Sequence, residues 1–213
     1  MSVNHVFIRG RRKYVRPIFS EEEYRSLRDS QLNLRNLYLA RLGKDWAKRS
    51  LLQMNYSGYY PNGVLAGSNN PSMAFGFDID DNEAFDRVKD VLLSNPGKYG
   101  LLMLERSVSQ GGHAVFKREK GKTILENQIR ISCLLHCEMD CRTHDVNRVY
   151  FTTSNEDLLY VSKELFEDVY NEDEVEKEVA ILTSREKDGK EDIPAEAHGT
   201  NKHFKPWEYG VYM

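Results

Sequence analysis

The stretch Phe75-Gly76-Phe77-Asp78-Ile79-Asp80-Asp81 alternates apolar and acidic residues with the period of two that marks a β-strand. Phe77 and Ile79 then face a core. Asp78 and Asp80 project from the opposite face, about 6 to 7 Å apart along the strand. Two carboxylates so placed repel each other unless a cation sits between them. A hard divalent ion such as Mg²⁺ suits that position, since it takes carboxylate oxygens and is often shared with substrate phosphates. The alternative is an acidic strand end running into a helix cap.

Outward from this strand, Asp81 or Asn82 can cap a helix through Phe85, Val88 and Leu92, ending near Asn95-Pro96-Gly97. Tyr99 to Glu105 reads as a buried strand, and the turn Ser109-Gln110-Gly111-Gly112 leads into extended His113-Ala114-Val115-Phe116. Residues 123–137 favour a helix across their middle, 148–152 have strand character, and 161–170 read as a helix through Leu165, Phe166 and Val169. Towards the N-terminus, Val15 to Phe19 suit an edge strand ending near Pro17. Ser20 with Glu23 reads as a helix N-cap. The helix that follows places Tyr24, Leu27, Leu34, Leu37 and Tyr38 on one face and Arg25, Arg28, Arg35 and Arg41 near the other. A second short helix is expected around Trp46, Leu51 and Leu52.

The 213 residues suffice for one substantial domain, read here as ending near residue 170, with a polar, acidic extension over 171–213. Phe204, Trp207 and Tyr209 stand out in that extension as groups able to dock it back on the body. The net charge of -3 hides an asymmetry: residues 1–50 carry twelve Lys or Arg against five Asp or Glu, a local balance of +7, and the remainder stands at -10. The basic front section, about 1–55, is suited to a polyanion, with Arg41, Lys48 and Arg49 as candidate nucleic-acid contacts. No apolar run approaches the roughly 20 residues of a membrane span. Three cysteines, Cys133, Cys137 and Cys141, cannot all pair internally, which fits a reducing, cytoplasmic setting.

Several residues beyond the acidic strand can carry chemistry. His113 follows paired glycines, Gly111 and Gly112, which lack a Cβ and so admit close approach by backbone or phosphate. Arg106, Lys117, Arg118 and Arg148 can neutralise phosphate charge or serve surface ion pairs. Asp140, with Asp145 as runner-up, could return to the Asp78/Asp80 pair and complete a three-carboxylate metal site, or remain a solvated loop acid. Cys133, His136, Cys137, Cys141 and His144 are crowded, yet they lack the paired Cys-x2-Cys knuckle, and zinc is not the expected ion. Phosphate-binding loop, dinucleotide and nucleophile-elbow patterns are all missing.

Taken together, Phe77-Asp78-Ile79-Asp80, then Ser109 to His113, then Asp140 onward resemble the three motifs of the archaeo-eukaryotic primase, or primase-polymerase, superfamily. The closer resemblance is to the N-terminal domain of VirE-like proteins in mobile elements of Bacteroides-type bacteria. Lys48 to Tyr60 precede the aspartates, and Asp140, Arg148, Val149 to Phe151, Ser154, Asp157 and Tyr160 follow in that group's order. The resemblance covers about residues 45–165. It implies an α+β fold (α/β being the alternative), with a mixed or antiparallel sheet flanked by helices. It implies Mg²⁺ or Mn²⁺ at Asp78, Asp80 and Asp140, in a one- or two-ion site, and nucleotide phosphate at His113. Single-stranded or primed DNA, nucleoside triphosphates and a separately encoded helicase become the expected partners. Gly111 departs from the pattern, standing where many members have Ser or Thr. A DNA-binding replication accessory without synthesis, a metal-dependent nuclease built from the same acids, and a scaffold protein are the competing expectations.

Overall fold

The computed structural model describes residues 3–167, 172–187, 193–198 and 202–210. Its two four-stranded sheets are antiparallel throughout. The first joins β1 (Asn4–Arg9), β2 (Arg12–Pro17), β3 (Gln53–Asn55) and a short β7 (Tyr150–Phe151) in the order β2-β1-β3-β7. The second joins β4 (Ala74–Ile79), β5 (Leu101–Arg106), β6 (Gly112–Lys117) and β8 (Leu158–Val161) in the order β4-β6-β5-β8. The fold is α+β, with helices flanking both sheets.

Side-chain alternation in the second sheet divides the core. Phe75, Phe77 and Ile79 of β4 pack with Phe116 of β6 and with Phe85, Val88 and Leu92 of α4 (Asn82–Ser94). Met103 and Val115 point the other way, into a cluster shared with Met54 and Tyr56 beside the first sheet and with Tyr24 of α1 (Glu21–Arg28). A register shift in β5 between Leu101 and Met103 lets the strand feed both clusters. Asp78, the acidic residue of β4, therefore lies on the face turned towards the first sheet.

Local signals set most element ends. The Asp81 carboxylate accepts from the Ala84 N–H at 2.7 Å and starts α4; Ser20 Oγ accepts from the Glu23 N–H at 3.2 Å and starts α1. Tyr99 closes the short α5 (Pro96–Tyr99), and Gly100, at φ +66°, turns the chain into β5. The helix α6 (Ile124–Leu135) opens with a reciprocal capping box between Thr123 and Glu126.

Three expectations change in detail. The helix predicted after Ser20 is two helices, α1 and α2 (Gln31–Arg41), separated at Asp29-Ser30. The next one, α3 (Asp45–Arg49), holds Trp46 largely exposed and stops before Leu51 and Leu52. Residues 158–161 form an unpredicted strand, so the helix expected over 161–170 is seen as α7 (Glu164–Glu167); Val169 and Tyr170 lie outside the described residues. Further on, α8 (Glu172–Lys187) buries Val175 and Glu178. The Glu178 carboxylate pairs with Arg118 at 2.6 Å, while Phe204 is fully buried and bridged to Met139.

Arg28, expected on the charged face of its helix, is fully buried. One guanidinium nitrogen lies 2.6 Å from Glu105 Oε2, and both side chains are excluded from solvent. Arg28 also donates to the Tyr24 hydroxyl at 2.9 Å and to the Ser154 carbonyl at 2.8 Å. Removing one member of such a pair strands a buried charge. Arg28→Met is expected to cost about 3–5 kcal/mol in urea denaturation at pH 7. Burial alone would raise the Glu105 carboxyl above its ordinary 4.5, but the Arg28 charge and the His113 hydrogen bond outweigh it and hold it lower. This contribution is full above the ordinary value and is lost as pH falls through the depressed folded value. Glu105→Gln should therefore flatten the acid limb of the stability profile.

Candidate active site

Strand register builds the site. Asp78 of β4 lies opposite His113 of β6, and His113 lies opposite Glu105 of β5. The three form a row across adjacent strands, on the face that also carries Val115 and Met103. Arg28 reaches the Glu105 end of this row from α1.

The row has a defined polarity. Glu105 Oε1 is 2.8 Å from His113 Nδ1, so an ionised Glu105, an acceptor only, accepts a hydrogen bond from Nδ1–H. His113 Nε2 is left facing Asp78 Oδ1 at 3.7 Å. Burial would lower the imidazole pKa, but the Glu105 hydrogen bond and the Asp78 and Glu105 charges outweigh it and hold it above the ordinary 6.5. The Thr153 hydroxyl donates to Glu105 Oε2 at 3.3 Å. The His113 and Tyr150 rings meet in a T-shaped contact, with centroids 5.2 Å apart.

Asp78 is the less satisfied end. Burial raises its carboxyl above the ordinary range; the His113 and Arg148 charges oppose this, while Asp80 and Asp140 add to it. Its cationic neighbours stay at arm's length, His113 at 3.7 Å and Arg148 at 3.9 Å. Asp80, two residues along on the same face, is exposed. A cavity of about 440 Å³ opens over this edge, bordered by Asp78, Asp80, His113, Lys48, Arg148 and Tyr150. Lys48 Nζ donates to Ser109 Oγ at 2.8 Å across its mouth. Asp145 also borders this cavity, on an exposed loop.

Asp140 reaches the other flank of the same edge, in a second cavity of about 460 Å³ that again includes Asp78 and Asp80. Both Asp140 oxygens are held by Arg142, at 2.9 and 2.7 Å, and the Arg142 backbone N–H adds a third contact at 2.9 Å. Burial would raise this carboxyl, but the Arg142 hydrogen bonds and charge hold it below the ordinary range. The donor chemistry suits a hard divalent ion at Asp78 and Asp80, with Asp140 joining only on exchanging Arg142, whose side chain is 42% exposed. As they stand, no three acids, histidines or cysteines among the described residues are grouped closely enough to hold an ion.

Other sequence candidates lie elsewhere. Lys117, at the far end of β6, pairs with Glu164. Arg41 pairs with Asp157 at 2.6 Å, and Arg49 borders a separate groove beside β1. The cysteines lie in or against the α4–α6 core, where burial pushes Cys137 up to about 12 and Cys141 up to about 11.

Glu105 and Arg28 are the participants that sequence reasoning missed. A carboxylate closing the apolar run Leu101 to Leu104 was the available signal for the first. For the second it was the position of Arg28 one helical turn after Tyr24, on the buried face.

The glycines before His113 act by shape. A Cβ on Gly111 would run into the Ile79 carbonyl oxygen, and one on Gly112 into the Phe85 ring. Gly76 plays the same part beneath Tyr150. No protein-family model, curated protein or solved structure matches this chain. Gly111→Ala forces β4 and its aspartates away from the turn. It is expected to destabilise by about 1–3 kcal/mol, the range of overpacking changes, with calorimetry as the check.

Proposed function

We propose that this protein is a metal-dependent nucleotidyltransferase of the primase-polymerase type, adding nucleotides to a nucleic-acid 3′ end. The observation that carries the proposal is the cross-strand pair Asp78–His113 at the floor of a cavity rimmed by Lys48 and Arg148. Carboxylates for a divalent ion and cations for phosphate thus share one wall, as the motif resemblance implies.

Asp78 and Asp80 would hold Mg²⁺ or Mn²⁺, with Asp140 as the third ligand once freed from Arg142. A bound ion would supply charge neutralisation at the α-phosphate and its leaving group. The chain's own groups do the positioning. His113, its Nδ1 proton committed to Glu105, presents Nε2 to a phosphate oxygen; Arg148 and Lys48 offer further cations on the same side. In the transfer the acceptor 3′ oxygen bonds to the α-phosphorus, the bond to the bridging oxygen breaks and pyrophosphate leaves. The hydroxyl proton passes to water at the Asp80 edge.

The nucleic acid has a basic approach. The β1–β2 hairpin tip exposes Arg9, Arg11 and Arg12, and the hollow beside it, bordered by Arg11, Arg12 and Lys13, shares Asn147 with the phosphate-side cavity. Among the described residues no helix is long and apolar enough to cross a membrane. A mobile-element setting belongs to this reading through the resemblance, the cytoplasm through the cysteines and the lack of a long apolar run in the sequence, and a separately encoded helicase through the acidic tail. A second reading, a DNA-binding replication accessory without synthesis, is favoured by the close hold of Arg142 on Asp140.

Labelled nucleotide incorporation on single-stranded and primed DNA, with Mg²⁺ or Mn²⁺, tests the two. Synthesis is expected to vanish in Asp78→Ala/Asp80→Ala; DNA binding without any product from the wild type supports the accessory reading. His113→Ala should weaken nucleotide binding by about 10- to 100-fold, as for a lost charge-assisted hydrogen bond. Arg11→Ala/Arg12→Ala should lower the salt slope of single-stranded DNA binding by about 1.4, or about 0.7 per phosphate contact.

A further inference from the structure

The two cavities that meet at the Asp78–Asp80 edge differ in character. The first sets Lys48, Arg148 and His113 beside its acids. In the second, the cations are already engaged: Lys205 with Glu138 at 3.3 Å, His203 with Glu138 at 3.1 Å, and Arg87 with the carbonyls of Leu135 and His136 at 3.0 and 2.9 Å. Most of its acids are engaged as well, Asp140 by Arg142, Glu138 by Lys205 and His203, and Asp81 by the Ala84 N–H, so what remains directed at a ligand is Asp80 and an aromatic ring, with Lys202 exposed at the border.

The aromatic ring is Trp207, and the C-terminal segment fixes it. Phe204 is wholly buried, and it exchanges two backbone hydrogen bonds of 3.0 Å with Met139. Lys205, the next residue, pairs with Glu138, and the Trp207 ring then leans on His136 at a centroid distance of 5.2 Å. Trp207 remains partly exposed and borders the cavity together with Asp78, Asp80 and Asp140. The volume, about 460 Å³, falls in the range of about 300–1,000 Å³ typical of small-molecule sites.

We propose that this second cavity seats the 3′-terminal nucleoside of the acceptor strand, its base on Trp207 and its sugar hydroxyl towards Asp80. This rests on the nucleotidyl-transfer reading and adds to it the place of the strand end. The Asp80 carboxylate can accept from a sugar hydroxyl, and the Lys48, Arg148 and His113 cations border only the first cavity, so the cations assign the phosphates to that side and the sugar end here. Aromatic rings accept every base by stacking, which suits a strand end of any sequence. Lys202, at the border, meets the phosphodiester leading away from the terminal nucleoside.

The test uses the full chain and primed DNA carrying 2-aminopurine either at the primer 3′ end or internally. Wild-type protein is expected to change the fluorescence of the terminal probe and leave the internal one little altered. Trp207→Ala should abolish the terminal response and raise the primer KM roughly 5- to 100-fold, the span of one lost base stack, with the nucleotide KM unchanged. Trp207→Phe should restore most of the primer affinity. Lys202→Glu, which leaves the anchored segment intact, should raise the primer KM alone. Equal responses from both probes, or a primer KM indifferent to Trp207→Ala and Lys202→Glu in a protein that still incorporates nucleotide, would overturn the assignment. Absence of incorporation by the wild type sinks the transfer reading instead, while a Trp207-dependent, end-specific response would still support the cavity as a strand-end site.

Discussion

The Glu105 carboxylate is excluded from water, and the placement of the site follows from how its charge is met. A buried ionised acid costs several kcal/mol in lost solvation unless paired and hydrogen-bonded. Here Arg28 meets one oxygen and His113 the other. The same two contacts tie α1 to the second sheet and fix which nitrogen of His113 faces Asp78. Arg28 in turn donates to the Tyr24 hydroxyl, which is hydrogen-bonded to the Tyr56 hydroxyl, so the network spans the core between the sheets. Structural and site functions are carried by one chain of contacts, and a change in either is expected to reach the other.

Close approach is the second constraint. Asp78, His113 and Glu105 can line up across β4, β6 and β5 only where the turn before His113 lies tight against the end of β4. Gly111 and Gly112 leave room for the Ile79 carbonyl and the Phe85 ring, and Gly76 leaves room for Tyr150. Three positions without a Cβ thus set the spacing on both sides of the acidic edge. Tyr150 then walls off the interior: its ring packs on His113, and burial holds its hydroxyl protonated well above the usual tyrosine range.

The C-terminal residues complete this arrangement. Glu178 of α8 closes on Arg118, Arg185 pairs with Glu126 of the α6 capping box at 2.5 Å, and Phe204 joins the core beneath Met139. The segment that follows brings Trp207 beside Asp140. One edge of β4 consequently serves two cavities of different chemical character, one bordered by Lys48, Arg148 and His113, the other by the Trp207 ring with most of its charges paired among themselves.

The sequence by itself determined what depends on neighbours along the chain. The alternation of Phe77, Asp78, Ile79 and Asp80 placed two acids on one face of a strand; Asp81 capped the next helix, Ser20 capped α1, and the glycine turn delivered His113 at the head of a strand. These features rest on side-chain period and local hydrogen bonds, which neighbouring residues suffice to define. Tertiary structure alone decided which charges meet. Arg28 looked like a surface cation because charge is normally solvated, and only Glu105, 77 positions away, made its burial tolerable. Lys117 and Arg49 had the right charge, but strand direction and helix facing carried them away from the cavity. Trp207 reached the acidic edge because Phe204 had a buried place to fill, an interaction between distant segments that no local pattern encodes.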